Sequence, residues 1–443
     1  MRYESDQPFP PGPDPHAPRG RVGVTGRRAR GLVSAGALAA LAAAGLVLVA
    51  CGGSSRGAGA AGSGFKHPAP PKHLPAFYTP PKHLPGGPGT LIKSRRLSAP
   101  GVDGTVYRIM YVSENEQGRD IPVVASIHVP KGPAPAGGFP VIAFAHPTSG
   151  IAPVCAFSLN ATIANPTTNQ LLQRGFEMVT SDLQPAGKPI PYIVGTVAAR
   201  NVIDSVRAAR HLAAAHASSS YAVWGHSEGG QAALFALQIA ARYAPELHLV
   251  GVAASAPPAE LQFIYDHLGS LSHADRSLWL MVEFGFHIAY GGAAPLSKVI
   301  TPLGLSFEKG AETSDCPGPR GPEKYPPGKL FRASPFNVPS WKRLMLANDP
   351  GQFKSASSVP LLILHGGIDN IVPTRSSQIL ARHLCGVGQD VERWVYPGKS
   401  HANVIPVSEQ DTLTWISHRF AGDPNPDPMT PTGESGVSVS RCG

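Results

Sequence analysis

Residues 225–229 read Gly-His-Ser-Glu-Gly, a G-x-S-x-G between an apolar strand-like run ending at Trp224 and a helix-like run, QAALFALQIA. A serine on such a strand-to-helix turn is forced into a strained backbone conformation that exposes its hydroxyl. Small residues on either side let the chain double back without clashes. A chain with 49 glycines can produce this pattern by accident, so Ser227 counts only if partners exist. A serine hydroxyl is a poor nucleophile at neutral pH; it needs a histidine to take its proton and an acid to orient that histidine. Asp369 supplies the acid, in the loop after the apolar strand of VPLLILHGGIDNIVP. His401 supplies the base, beyond the strand and Pro-Gly turn of VERWVYPGKSHANV. Asp266 and Asp275 fall in a helix-rich region, and Asp390 precedes a strand instead of following one. His383 and His418 lie on helical patterns, where packing or surface roles are expected.

The order Ser227, Asp369, His401 is that of the α/β-hydrolases, and differs from the orders of chymotrypsin-type and subtilisin-type peptidases. In the expected chemistry His401 deprotonates Ser227 as it attacks an ester carbonyl, and Asp369 holds the imidazole tautomer and stabilises the imidazolium. Water activated by the same histidine then hydrolyses the acyl-enzyme. Charge on the carbonyl oxygen calls for two backbone N–H donors, one from Glu228, the residue after the nucleophile. The second is expected after the strand in PVIAFAHPTSG; Pro147 has no N–H, which leaves Thr148. The Glu228 side chain is read as a helix-start carboxylate with no chemistry of its own.

Strands are expected at 105–113, 121–130, 140–146, 176–182, 220–225, 248–254, 359–365 and 391–397, and helices at 196–215 and 229–243. Their alternation predicts a mostly parallel sheet with helices on both faces. The expected organisation is an export signal with lipobox over 1–51, a Pro/Gly-rich linker over 52–89, and a core in two parts, 90–257 and 346–443. Between them 258–345 reads as a helical cap. There SLWLMVEFGFHIAYGG is too apolar for an exposed helix, and Leu278, Leu280, Phe284 and Phe286 are candidate acyl-pocket residues.

Arg27, Arg28 and Arg30 precede an apolar stretch from Leu32 to Ala50, the pattern of an export signal. The stretch ends LVAC, with Cys51 followed by Gly-Gly-Ser-Ser, which resembles a bacterial lipobox whose cysteine becomes lipid-attached. A plain membrane anchor is the alternative, since the stretch could just span a bilayer. Beyond it PPKHLP occurs at Pro70–Pro75 and again at Pro80–Pro85, an extended spacer in which His73 and His83 are expected to be solvated. Without Cys51, four cysteines remain: Cys155, Cys316, Cys385 and Cys442. An even count in an exported chain predicts two disulfides, with three connectivities open. Cys155–Cys316 and Cys385–Cys442 are the expected pairs, the first tying the oxyanion loop to the cap and the second pinning the C-terminal tail. No C-x-x-C pair points to metal. The net charge of +9 comes without a basic run interleaved with aromatics, so nucleic acid is not the expected partner.

With these pieces in place, the sequence resembles the secretory lipase family of the α/β-hydrolases from about Pro80 to Gly422. The resemblance is carried by TLIKSRRL, YRIMYVSENEQGRDIPVVASIHVP, AFAHPTSG followed by CAFS, the elbow with YAPELHLVGVAASAPPAEL, and the Asp369 and His401 loops. The family's His-Gly-Thr stands here as His146-Pro147-Thr148, and its Cys-Ala-Pro-Ser as Cys155-Ala156-Phe157-Ser158. It implies hydrolysis of carboxylic esters, acylglycerols included, with no cofactor, a cap over the site and no obligate protein partner; lipid attachment would add a membrane. A short-chain or aromatic carboxylesterase is the alternative. A prolyl-oligopeptidase-type peptidase shares the elbow, but its repeated propeller strands are missing here, and a non-catalytic binding scaffold would have no need of an intact triad.

Overall fold

A computed structural model describes residues 69–270, 272, 274–423, 431–432 and 434–442. The export signal, Cys51 and the first part of the linker, up to residue 68, lie outside them. Ten strands form one sheet: β1 Leu91–Leu97, β2 Gly104–Glu114, β3 Asp120–Pro130, β4 Phe139–Ala145, β5 Glu177–Pro185, β6 Ala217–His226, β7 His248–Ser255, β8 Leu361–Gly366, β9 Val391–Tyr396 and β10 Ser438–Cys442. Their order is β1-β2-β3-β5-β4-β6-β7-β8-β9-β10. The run from β5 to β9 is parallel, and antiparallel pairs close both sides. Helices α1 Pro166–Gln173, α2 Gly195–His211 and α3 Glu228–Tyr243 alternate with the central strands. Six follow β7: α4 Leu261–Asp266, α5 Asp275–Tyr290, α6 Pro302–Leu305, α7 Glu308–Thr313, α8 Pro327–Leu330 and α9 Pro339–Ala347. Finally α10 Thr374–Gly386 links β8 to β9, and α11 Val404–Ala421 follows β9.

Parallel strands covered on both faces should be apolar, and β4, the second half of β6 and Leu361 to Leu364 of β8 are, whereas β5 buries Thr180, Ser181 and Asp182. In β4, Val141, Ala143 and Ala145 face one core while Ile142 and Phe144 face the other, as the two-residue period of a strand requires. Tyr221 and Val223 against Ala222 and Trp224 in β6, and Leu361 and Ile363 against Leu362 and Leu364 in β8, repeat the division. The first face packs under α2, α3 and α10, the second under α1 and α11. A third apolar cluster belongs mostly to the helices between β7 and β8, with Leu280, Phe284, Phe286 and Trp341 among its members.

The eight expected strands are present, with ends shifted by up to three residues. Strands β1 and β10 were not foreseen from the pattern. Both lie at the edges of the sheet, and their outward charges (Arg95, Arg96, Arg441) blur the alternation that marks a half-buried strand. Helix α2 ends at His211 instead of continuing to 215, and Ala213 lies beyond it, exposed. Ala213 and Ala214 favour helix but are exposed, and only Ala215 is buried as the chain turns back into β6.

Disulfides join Cys155 to Cys316 and Cys385 to Cys442, the pairs expected from the sequence. The second fastens β10 to the end of α10 across a separation of 57 residues. Replacing Cys385 and Cys442 together with serine is expected to lower stability by about 4 kcal/mol, the chain entropy of a loop this long. Denaturant unfolding measures it; an unchanged midpoint would show that strand pairing alone holds the tail.

Candidate active site

The parallel strands end at one edge of the sheet, where open α/β sheets bind ligands. Ser227, Asp369 and His401 all lie beyond that edge, after β6, β8 and β9 respectively. Ser227 adopts φ 55° and ψ −119°, a conformation a residue with a side chain keeps only when its surroundings impose it. Two glycines make the turn possible. A Cβ on Gly225 would sit 2.0 Å from the Gly229 carbonyl oxygen, and one on Gly229 would sit 1.9 Å from that of Ala145. The close approach at Gly229 also sets the end of β4 against the start of α3. Ser227 N–H donates to the Ser255 carbonyl at 2.9 Å, tying the elbow to β7.

The acid and base loops are held to each other as well. Gly367 N–H donates to the Tyr396 carbonyl at 2.8 Å, and Ile368 N–H to the Lys399 carbonyl at 3.0 Å. In this frame His401 Nδ1 lies 2.7 Å from Asp369 Oδ2. The ring of His226, the residue before the serine, is centred 4.7 Å from that of His401, which places the base beside the elbow. All three expected residues are buried, each with a few per cent of its surface exposed. Burial alone would raise the Asp369 carboxyl; the charge of His401 and hydrogen bonds from His365 and His401 outweigh it and hold the group well below the usual carboxylate range. His226 is pushed well down by burial and by the neighbouring His401 and His365, so it stays neutral beside the base.

Glu228 opens α3, where the first backbone N–H groups have no partner within the helix. Its side chain is far more unusual than a helix-start carboxylate at the surface: it is buried, and burial raises it to about 8. Thr148 lies on the loop after β4, with its hydroxyl 2.7 Å from Tyr192 Oη. The ring of His146 stacks on Phe157 at 4.6 Å and 4° interplanar angle. Phe157 thus stacks on the residue that opens the loop after β4.

A cavity of about 50 Å³ opens at Ser227, walled by Tyr192, Leu261, Leu278, Trp279, Val282 and Val372 among others. Of the four pocket residues proposed from the sequence, Leu278 lines it. Leu280, Phe284 and Phe286 instead point into the apolar centre of the helical segment. The face of α5 turned to the cavity carries Asp275, Leu278, Trp279 and Val282, spaced as one side of a helix must be. Since α5 is apolar on nearly every side, composition could not reveal which side that is. Tyr192 and His365 were missed for a related reason, because nothing in their local sequence marks them; only the fold brings them to the site.

The family model described as secretory lipase matches residues 158–274 and 344–427, which include all three residues of the constellation. The chain is a relative of the secretory lipases. Lipase A of Moesziomyces aphidis is 23% identical over 382 residues, spanning 79% of this chain and 80% of its own. A protein named probable inactive lipase from Mycobacterium tuberculosis is likewise 23% identical, over 81% of this chain and 84% of its own. Among solved structures, Candida antarctica lipase A superposes with a TM-score of 0.68 at 20% identity, covering 81% of this chain and 87% of that one. The rice cell wall degrading esterase LipA from Xanthomonas oryzae gives a TM-score of 0.62 at 18% identity, over 76% and 98%. The fold of this secretory lipase relative is therefore that of the α/β-hydrolases.

A carboxyl whose folded value is raised stabilises fully below its unfolded value, near 4.3, and loses that contribution as pH rises through the folded value. For Glu228 the window runs from about pH 4.5 to about 8. Glu228→Gln is expected to remove this slope, so its melting temperature should gain on the wild type steadily from pH 5 to pH 8. Parallel melting curves across that range would contradict a buried, protonated Glu228.

Proposed function

We propose that this chain is an exported serine hydrolase of carboxylic esters, acylglycerols among them, working through Ser227, His401 and Asp369 by way of an acyl-enzyme. The observation that carries the reading is the 2.7 Å contact between His401 Nδ1 and Asp369 Oδ2, next to a serine held at positive φ. With Nδ1–H donated to the acid, Nε2 of His401 is the unprotonated nitrogen and can accept the serine proton. Ser227 Oγ attacks the ester carbonyl, the N–H groups of Glu228 and Thr148 receive the oxyanion, and His401 returns the proton to the leaving alcohol. Water, deprotonated by the same histidine, releases the acid and restores the serine. None of these steps requires a cofactor.

The helices of 258–345 act as a cap in this reading, and the Cys155–Cys316 bridge ties it to the loops beside the oxyanion site. A second reading, a short-chain carboxylesterase, is favoured by the cavity itself. A volume of about 50 Å³ holds about four waters, too little for a long acyl chain unless α4 and α5 move. The peptidase and binding-scaffold alternatives gain nothing from the site.

Nitrophenyl esters of two to eighteen carbons, offered to residues 52–443 and to Ser227→Ala, test the proposal. Hydrolysis should fall by about 10⁶-fold in the variant. A peak at long chains on emulsified substrate supports the lipase with a mobile cap, and a peak at short chains supports the esterase. No hydrolysis of any ester by folded protein would overturn the enzyme.

The two disulfides fit an oxidising compartment. Lipid attachment at Cys51, with the chain beginning there after export, would hold the protein at the cell envelope. Expressed from the full sequence in a bacterium, the wild type should then partition with membranes and Cys51→Ala should not. Equal partitioning would point to the plain membrane anchor.

A further inference from the structure

Asp369 carries more partners than a triad acid needs. Oδ1 accepts the backbone N–H groups of Ile371 at 2.9 Å and Val372 at 2.8 Å. Oδ2, the oxygen that meets His401, also lies 3.1 Å from Nε2 of a second histidine, His365, near the end of β8. The same Nε2 is 3.0 Å from the Val372 carbonyl oxygen. A carbonyl can only accept, so Nε2 must carry the proton, and His365 presents an N–H to the carboxylate. Its other nitrogen, Nδ1, is buried without a hydrogen-bond partner.

We propose that His365 is a positioning residue for the acid: a second imidazole on Asp369 that fixes the carboxylate's orientation and limits how strongly it holds His401. The proposal rests on the reading of Ser227, His401 and Asp369 as the reactive set. A histidine buried only for packing would be satisfied by the Val372 carbonyl. The shared Oδ2 is what gives His365 a second effect, because every N–H on that oxygen withdraws charge from the bond to His401. The contact also closes the loop from β8 to Val372, a residue of the cavity wall, so acid orientation and substrate wall are set by one side chain. The titratable groups facing this centre are His401 after β9, His365 on β8 and His226 on β6; the latter two are fully or almost fully buried.

His365→Leu keeps bulk and removes the donor, whereas His365→Gln keeps an N–H at nearly the same reach. With 4-nitrophenyl butyrate, kcat of the leucine variant should fall by about 10–100-fold, as for other residues that orient a reactive group from behind, while KM stays within about twofold. Asp369, relieved of one donor, would bind the imidazolium of His401 more tightly. The acid limb of kcat/KM should therefore move to higher pH by about half a unit. Glutamine should restore most of the rate and the position of the limb. The low-field Nδ1 proton resonance of His401 gives a readout without turnover, shifted in the leucine variant and near its wild-type position in the glutamine variant. If the wild type hydrolyses no ester, the catalytic reading fails while this resonance still tests the contact. Wild-type kcat, limb and resonance in His365→Leu would overturn the proposal. So would equal rate losses in both variants, in step with melting temperature and with the limb unmoved.

Discussion

Ser227 can stand at φ 55° only because Gly225 and Gly229, two residues before and after it, lack side chains, and the rest of the site is arranged around that turn. With the Gly225 carbon against the Gly229 carbonyl, and Gly229 against the end of β4, the start of α3 and the loop after β4 come as close as backbone allows. A single methyl at either position would drive them apart. The backbone strain at Ser227, of order 1–3 kcal/mol, is offset by burial of the strand before it, Tyr221 to Trp224 above all, and of the apolar residues of the helix after it. The geometry of the turn is thus held by the core on both faces of the sheet.

The same logic places the acid and base. β8 and β9 are parallel neighbours, and hydrogen bonds between the loops after them make the two loops one unit. Asp369 then sits where four N–H donors converge, two from backbone and two from imidazoles. Buried carboxylates are costly unless paired and hydrogen-bonded, and this one is satisfied on both oxygens. Glu228 shows the opposite solution one residue from Ser227: burial without a charged partner keeps its proton on. Two carboxyls near one serine are driven to opposite protonation states by their surroundings.

The helical segment between β7 and β8 divides its apolar residues between two tasks. Leu280, Phe284, Phe286 and Trp341 bury one another and make a core separate from the sheet, while Leu278, Trp279 and Val282 face the serine. Gly285 lets α5 lie against the backbone of Tyr192, where a Cβ would meet the Tyr192 nitrogen at 2.4 Å. Contact at this distance explains why the cavity is small and why room for a long chain would require the helices to move.

The sequence by itself determined what rests on local pattern and chain order. An apolar run entering G-x-S-x-G and a helical run leaving it specify an elbow, and strands followed by Asp369 and His401 specify where an acid and a base emerge from a parallel sheet. Four cysteines beyond Cys51, in a chain with an export-like leader, pointed to two bridges. Tertiary structure alone decided what depends on contacts between distant segments. It chose the face of α5 that meets the serine, since a helix apolar all round has no periodic signal. It showed β1 and β10 as strands, because edge strands with outward charges need a neighbour to define them. It buried Glu228, which any sequence reading leaves at a helix surface. It also set His365 on Asp369, because the side chain of a strand residue has no address until the loop after it has folded back.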